Sequence, residues 1–139
     1  MIVLNFEEAA EFKKDLKQLT KRWRSIPNDL QKVKQVIERF YLPVEGGDAE
    51  SAQKFKEQFF ATPRAAILTK TENYEVVKMR LDCASLGNDK KTRIIFIAII
   101  QENRVILVQL YAKNSNQRED SRRIKRYLSW SSHSYSCYN

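Results

Sequence analysis

The chain has 139 residues, a length that favours one domain with its own hydrophobic core. Its 25 lysine and arginine residues outnumber 17 acidic residues, giving a formal net charge of +8 and a pI near 9.6. Such an excess is typical of proteins that bind polyanions such as nucleic acid or ribonucleoprotein, although basic proteins also arise for solubility alone.

The composition and the apolar segments argue against secreted, disulfide-bonded and membrane classes. The two cysteines, Cys83 and Cys137, are too few for a disulfide framework and lack metal-site spacing. The opening "MIVLNF" lacks the features of a signal peptide. The longest apolar run, residues 94–100, is seven residues long and too short to cross a bilayer. We therefore expect a cytoplasmic protein without a membrane partner.

The first half of the chain predicts one strand followed by helices. Residues 2–6 predict the strand, and apolar residues then recur at steps of three and four: Ala9, Phe12, Leu16, Leu19 and Trp23. Ser25 and Pro27 predict the start of a second helix that runs to about Tyr41. A tight turn joins the two helices, which predicts an antiparallel hairpin. Phe55 and Phe59 predict a short third helix that ends near Pro63.

The second half predicts an antiparallel meander and one more helix. From Tyr74 the apolar positions alternate, and two apolar strands follow over residues 93–100 and 104–111. A short helix is predicted over residues 119–128, followed by a flexible tail at 129–139. The result is one α+β domain over residues 1–128, with an N-terminal strand, a helical hairpin packed on one face of a small antiparallel sheet, and a short C-terminal helix. The other face of the sheet is expected to carry the exposed cations.

A group of cations on the predicted sheet is the main functional candidate. Lys78 and Arg80 lie two residues apart on a strand and project from one face, and pairing brings Arg93 near Arg80. Tyr111 and Lys113 fall at the end of the last strand. Cations this close repel one another, and a phosphodiester backbone relieves the repulsion. Such a patch suits a scissile phosphate and the charge that develops when a ribose 2′-OH attacks it.

The basic residues can also be explained as ordinary surface charge without a ligand. Each sheet cation can be a solvated surface group, with Asp82 neutralising Arg80. The segment "SRRIKRY" is a second candidate for phosphate contact, equally well explained as surface charge, and its cations are Arg122, Arg123, Lys125 and Arg126. The basic face of the first helix is read as solvated.

Other chemistries find little support in the sequence. The sole histidine, His133, lies in the predicted tail, which disfavours histidine-based catalytic or metal sites. With three glycines the chain has no glycine-rich phosphate loop. We therefore expect no cofactor and no metal, and catalysis would fall to lysine, arginine and tyrosine.

A basic helical hairpin is followed by a sheet with "KMR…TRIIF", the strand "VILVQLYAK" and a terminal helix. This order of elements resembles the RelE/ParE superfamily of bacterial toxins from type II toxin–antitoxin pairs, in particular its RelE- and HigB-like branch. It implies a cytoplasmic toxin held inactive by a partner antitoxin. RelE-like members are ribosome-dependent mRNA endonucleases, whereas ParE-like members inhibit DNA gyrase. A protein that shares the fold without toxicity is a third alternative.

The resemblance also assigns roles to individual residues. It implies that Lys78 and Arg93 contact the scissile phosphate, with Arg80 in the same strand motif. A further basic position after the last strand falls on Lys113 or Asn114, and Lys113 is the better chemical match. Cleaving members also use a tyrosine or histidine near the C-terminus for proton transfer, for which the candidates here are Tyr111, Tyr127 and His133.

Overall fold

The computed structural model describes residues 3–42, 48–81, 92–112 and 118–136, with side chains up to residue 129. The elements in chain order are β1 (Asn5–Glu8), α1 (Ala10–Arg22), α2 (Ile26–Tyr41), α3 (Ala49–Phe60), β2 (Ala65–Lys70), β3 (Tyr74–Arg80), β4 (Thr92–Ile99), β5 (Arg104–Ala112) and α4 (Ser121–Ser136). The prediction of an α+β fold is confirmed. The extent of the domain, residues 1–128, stays a prediction.

The five strands form one mixed sheet in the order β1-β5-β4-β3-β2. The predicted meander of β3, β4 and β5 is antiparallel throughout. A short 3₁₀ turn over Ile100–Glu102 joins β4 to β5, and Asn103 completes it in the left-handed conformation, which asparagine tolerates. The sheet is not purely antiparallel as expected, because β1 pairs parallel to β5. It also contains an edge strand, β2, which the pattern of residues 65–70 does not predict.

Helices cover both faces of the sheet, which corrects the expectation of a single covered face. The larger core joins α1, α2 and α3 to one face through residues such as Phe12, Ile37 and Phe96. A smaller core on the other face packs Ile124 of α4 against Ile95 and other strand residues. The face on which the basic residues were expected therefore lies beside α4.

The C-terminal helix is longer than predicted. We expected it to be short and to end at Leu128, but α4 continues to Ser136. The prediction failed because the serine-rich segment after Leu128 shows no apolar period, and a helix needs only its backbone hydrogen bonds to continue. The flexibility of residues 129–139 stays a prediction. In the described parts of the chain, no helix has both the length and the apolar character needed to cross a membrane.

Candidate active site

The strand register places the three predicted sheet cations on one face. Arg80 lies opposite Arg93, and Lys78 lies opposite Ile95. Ile95 is buried in the core beneath α4, and alternate residues of a strand share a face. Lys78, Arg80 and Arg93 therefore all project on the α4 side of the sheet, as their spacing predicted.

Tyr111 joins this group from the neighbouring strand. It pairs with Arg93 across β4 and β5, and it is only 3% exposed. Burial is the main reason that the pKa of Tyr111 rises to about 12; the charge of Glu119 adds to the rise, and the charge of Arg93 opposes it. At neutral pH the Tyr111 hydroxyl is consequently a proton donor.

Glu119 completes the site and was not predicted as a site residue. Its Oε2 lies 3.4 Å from Nζ of Lys78 and accepts a hydrogen bond from the Tyr111 hydroxyl, also at 3.4 Å. The side chains of Lys78 and Glu119 are 33% and 30% exposed, so solvent and ligands reach them. The pKa of Glu119 is lowered, first by a hydrogen bond from its own backbone N–H and then by Lys78. Its carboxylate is therefore ionised at neutral pH.

The sequence carried little signal for Glu119. The residue was expected only as the first of the C-terminal helix, and 41 positions separate it from Lys78. It resembles an ordinary acidic residue near a helix N-terminus, where negative charge is common. Only the pairing of the strands, together with the path of the chain into α4, brings the carboxylate to the cations.

The four cations of α4 do not form one exposed patch. The Arg123 side chain is 12% exposed and donates to Oδ2 of Asp15 at 2.6 Å and to the Val108 carbonyl at 2.9 Å. Arg126 is exposed and pairs with Glu11, while Arg122 and Lys125 are exposed. Arg123 thus has a structural role, and any phosphate contact by α4 would fall to the other three residues.

The remaining candidates for proton transfer lie elsewhere. The Tyr127 hydroxyl donates to Oε1 of Glu11 at 3.5 Å, on the side of α4 that faces α1. Lys113 and Asn114 lie outside the described residues, as does the side chain of His133. Among the described residues, no group of three or more histidine, cysteine or acidic side chains is arranged to hold a metal ion.

Comparisons with known proteins return one distant structural likeness. No family model matches the chain, and no curated protein matches it. A chain in the crystal structure of the archaeal RelE–RelB complex from Pyrococcus horikoshii OT3 is similar over 80% of this chain and 96% of its own, with 14% identity and a TM-score of 0.40. This TM-score is too low to assign the two chains to one fold. The resemblance of the residues to the RelE/ParE superfamily therefore stays a prediction.

Proposed function

We propose that this protein is a toxin of a toxin–antitoxin pair and that it inhibits translation by cleaving mRNA on the ribosome. One observation supports this most strongly: Lys78, Arg80 and Arg93 share a sheet face with Tyr111, and the Glu119 carboxylate reaches the same place. These groups are the ones that cleavage at a ribose 2′-OH requires, namely phosphate-binding cations, a proton acceptor and a proton donor.

The chemistry is a transesterification within the RNA. The 2′-oxygen attacks the adjacent phosphorus and the P–O5′ bond breaks, leaving a 2′,3′-cyclic phosphate and a free 5′-hydroxyl. Glu119 accepts the proton of the 2′-OH, and Tyr111 supplies a proton to the departing 5′-oxygen. Arg80 and Arg93 bind the phosphate oxygens as charge develops on them, which is where fixed cations contribute most.

The placement of the arginines favours a ligand over ordinary surface charge. Arg80 and Arg93 are direct cross-strand partners, and like charges in that position destabilise a sheet. The Nε atom of Arg80 is buried and has no hydrogen-bond partner among the described residues. The two guanidinium groups side by side concentrate positive charge, which an RNA phosphate would neutralise.

The sheet face that carries Lys78, Arg80 and Arg93, called the basic face from here on, also supports the proposal of an antitoxin partner. An acidic or amphipathic segment of an antitoxin laid over it would neutralise the cations and block RNA at once. Co-expression with the product of a small neighbouring gene should yield a complex that co-purifies. The antitoxin proposal fails if that product suppresses growth arrest without binding the toxin.

The experiment that tests the function compares two double variants of equal charge. Lys78→Ala with Arg93→Ala removes the site cations, whereas Lys14→Ala with Lys17→Ala removes two exposed cations from α1. We expect the first variant to lose growth arrest and new mRNA 5′ ends while it stays folded, and the second to keep both. Undiminished arrest by the folded site variant would refute the proposal.

The alternative of a gyrase inhibitor gives a different result in the same cells. Arrest without new mRNA ends, together with impaired supercoiling by purified gyrase, would favour it. The exposed cations of α4, Arg122, Lys125 and Arg126, are the surface on which such an interaction would be sought first.

A further inference from the structure

A buried glutamine holds the chain on either side of Glu119. Gln109 lies on β5 and is 6% exposed. Its Oε1 accepts a hydrogen bond from the backbone N–H of Asp120 at 2.7 Å, and its Nε2 donates to the backbone carbonyl of Arg118 at 3.1 Å. One side-chain amide thus fixes the backbone both before and after residue 119.

The position of this glutamine depends on an irregularity of β5. The register between β4 and β5 shifts at Val108, so that this residue is extra in its strand. Asp15 accepts a hydrogen bond from the Leu110 N–H at 3.1 Å, and Arg123 donates to the Val108 carbonyl. Because β1 pairs with β5 only as far as Leu107, these contacts satisfy backbone groups along an edge that β1 leaves open.

The helix that follows fixes the other side of Glu119. Asp120 directly precedes α4, and its Oδ1 accepts from the backbone N–H of Arg123 at 3.1 Å, the geometry of a helix N-cap. Glu119 therefore lies between two residues whose backbones are hydrogen-bonded to Gln109, and the second of them caps α4. These bonds restrain the backbone of Glu119, although its side chain is partly exposed.

We propose that Gln109 is a positioning residue, which holds the Glu119 carboxylate between Lys78 and Tyr111 without touching the substrate. The inference rests on the proposed function for its effect on catalysis, but the geometry that it describes is testable without activity. A proton acceptor must stand within hydrogen-bond reach of its proton, and small displacements of a catalytic group reduce rates strongly.

The test replaces Gln109 by Met, which keeps the length of the side chain and removes both hydrogen bonds. The control is Ile95→Met, a change of shape at the residue paired with Gln109 on the same buried face. We expect Gln109→Met to lower kcat by about 100-fold. Affinity for an RNA with a 2′-deoxy nucleotide at the cleavage site should change less than threefold, and in a Glu119→Gln background the substitution should have no further effect on kcat.

A readout independent of activity is the pKa of Glu119, measured by NMR on the carboxyl carbon. In Gln109→Met it should rise towards the usual glutamate value, because the hydrogen bond from the backbone N–H of Glu119 and the place of its carboxylate beside Lys78 both depend on the fixed backbone, whereas Ile95→Met should leave it low. If Gln109→Met does not fold, Gln109→Asn, which is too short to span both contacts, takes its place. An unchanged Glu119 pKa in a folded variant overturns the inference. If the pKa rises but the unaltered protein produces no new mRNA ends, the positioning stands and the proposed function fails. Normal cleavage by Glu119→Gln would remove only the role of Glu119 as proton acceptor.

Discussion

The carboxylate of Glu119 distinguishes a catalytic from a purely binding interpretation of the basic face. Without Glu119, the described part of the face consists of cations and a tyrosine, and such a set binds phosphate but offers no anionic proton acceptor. With it, Lys78 and Tyr111 both have an oxygen to bind, and a carboxylate lies beside the proposed phosphate site. The catalytic and the purely binding interpretations of the face therefore differ at this one residue.

Replacing Glu119 by Gln separates the two interpretations. The variant should cleave about 100-fold more slowly or worse, which is the usual contribution of a general base, and should bind uncleavable RNA at least as tightly because a negative charge is gone. Exposed Glu72→Gln is the matched control. Equal cleavage rates for the two variants would exclude Glu119 as the base.

The acid limb of the pH–rate profile provides a second check on Glu119. Its folded-state pKa is lowered, so the active carboxylate form is present above that pKa and is lost as the pH falls through it. We expect the limb below the usual glutamate value of about 4.5. It should be missing from the residual activity of Glu119→Gln, and a limb near neutrality would contradict the assignment.

At the scale of elements, a buried ion pair that is not part of the candidate site joins α3 to the sheet. Nζ of Lys56 on α3 lies 2.5 Å from Oε1 of Glu75 on β3, and the Tyr41 hydroxyl donates to the other oxygen at 2.9 Å. Glu75 is 1% exposed. A pair of this kind specifies where the helix sits, but each member depends on the other to remain buried.

Removing one member of this pair should be costly. Lys56→Met is expected to destabilise the protein by about 3 kcal/mol, because the Glu75 carboxylate stays buried without its closest cation. Lys56→Met combined with Glu75→Met should cost less than the single change, since no charge is then left in the core. Urea unfolding measures the free energy of unfolding of both variants, with Lys54→Met, a change at an exposed residue of α3, as the control. A single variant as stable as the control would contradict the expected role.

Some helices and strands could be predicted from the sequence, and others could not. Regular apolar spacing gave α1, α2 and the central strands, and the alternation around Lys78 and Arg80 gave the face on which the cations lie. The edge strand β2 was missed because most of its residues are exposed and it lacks an apolar alternation. Glu119 and Gln109 were missed for another reason: their roles depend on contacts between segments, which no local pattern records.

At the scale of the whole molecule, the net charge of +8 would attract RNA over a longer range than the proposed contacts of the site do. Binding of single-stranded RNA should weaken as salt rises. In a plot of the logarithm of the binding constant against the logarithm of the salt concentration, each phosphate contact adds about 0.7 to the steepness of the slope. The Lys78→Ala and Arg93→Ala double variant should therefore lower that slope by about 1.4, for two lost contacts at about 0.7 each. Filter-binding titrations across salt concentrations measure this, and a slope equal to that of the Lys14→Ala and Lys17→Ala variant would contradict specific contact.

The parallel pairing of β1 with β5 has a consequence for synthesis. Glu7 of β1 and Arg104 of β5 form an ion pair and are 97 residues apart, so β1 leaves the ribosome long before its partner strand is made. Until β5 emerges, β4 has an open edge that invites pairing with other chains. Glu119 follows later still. A nascent or truncated chain would thus be exposed to aggregation before its candidate site is complete.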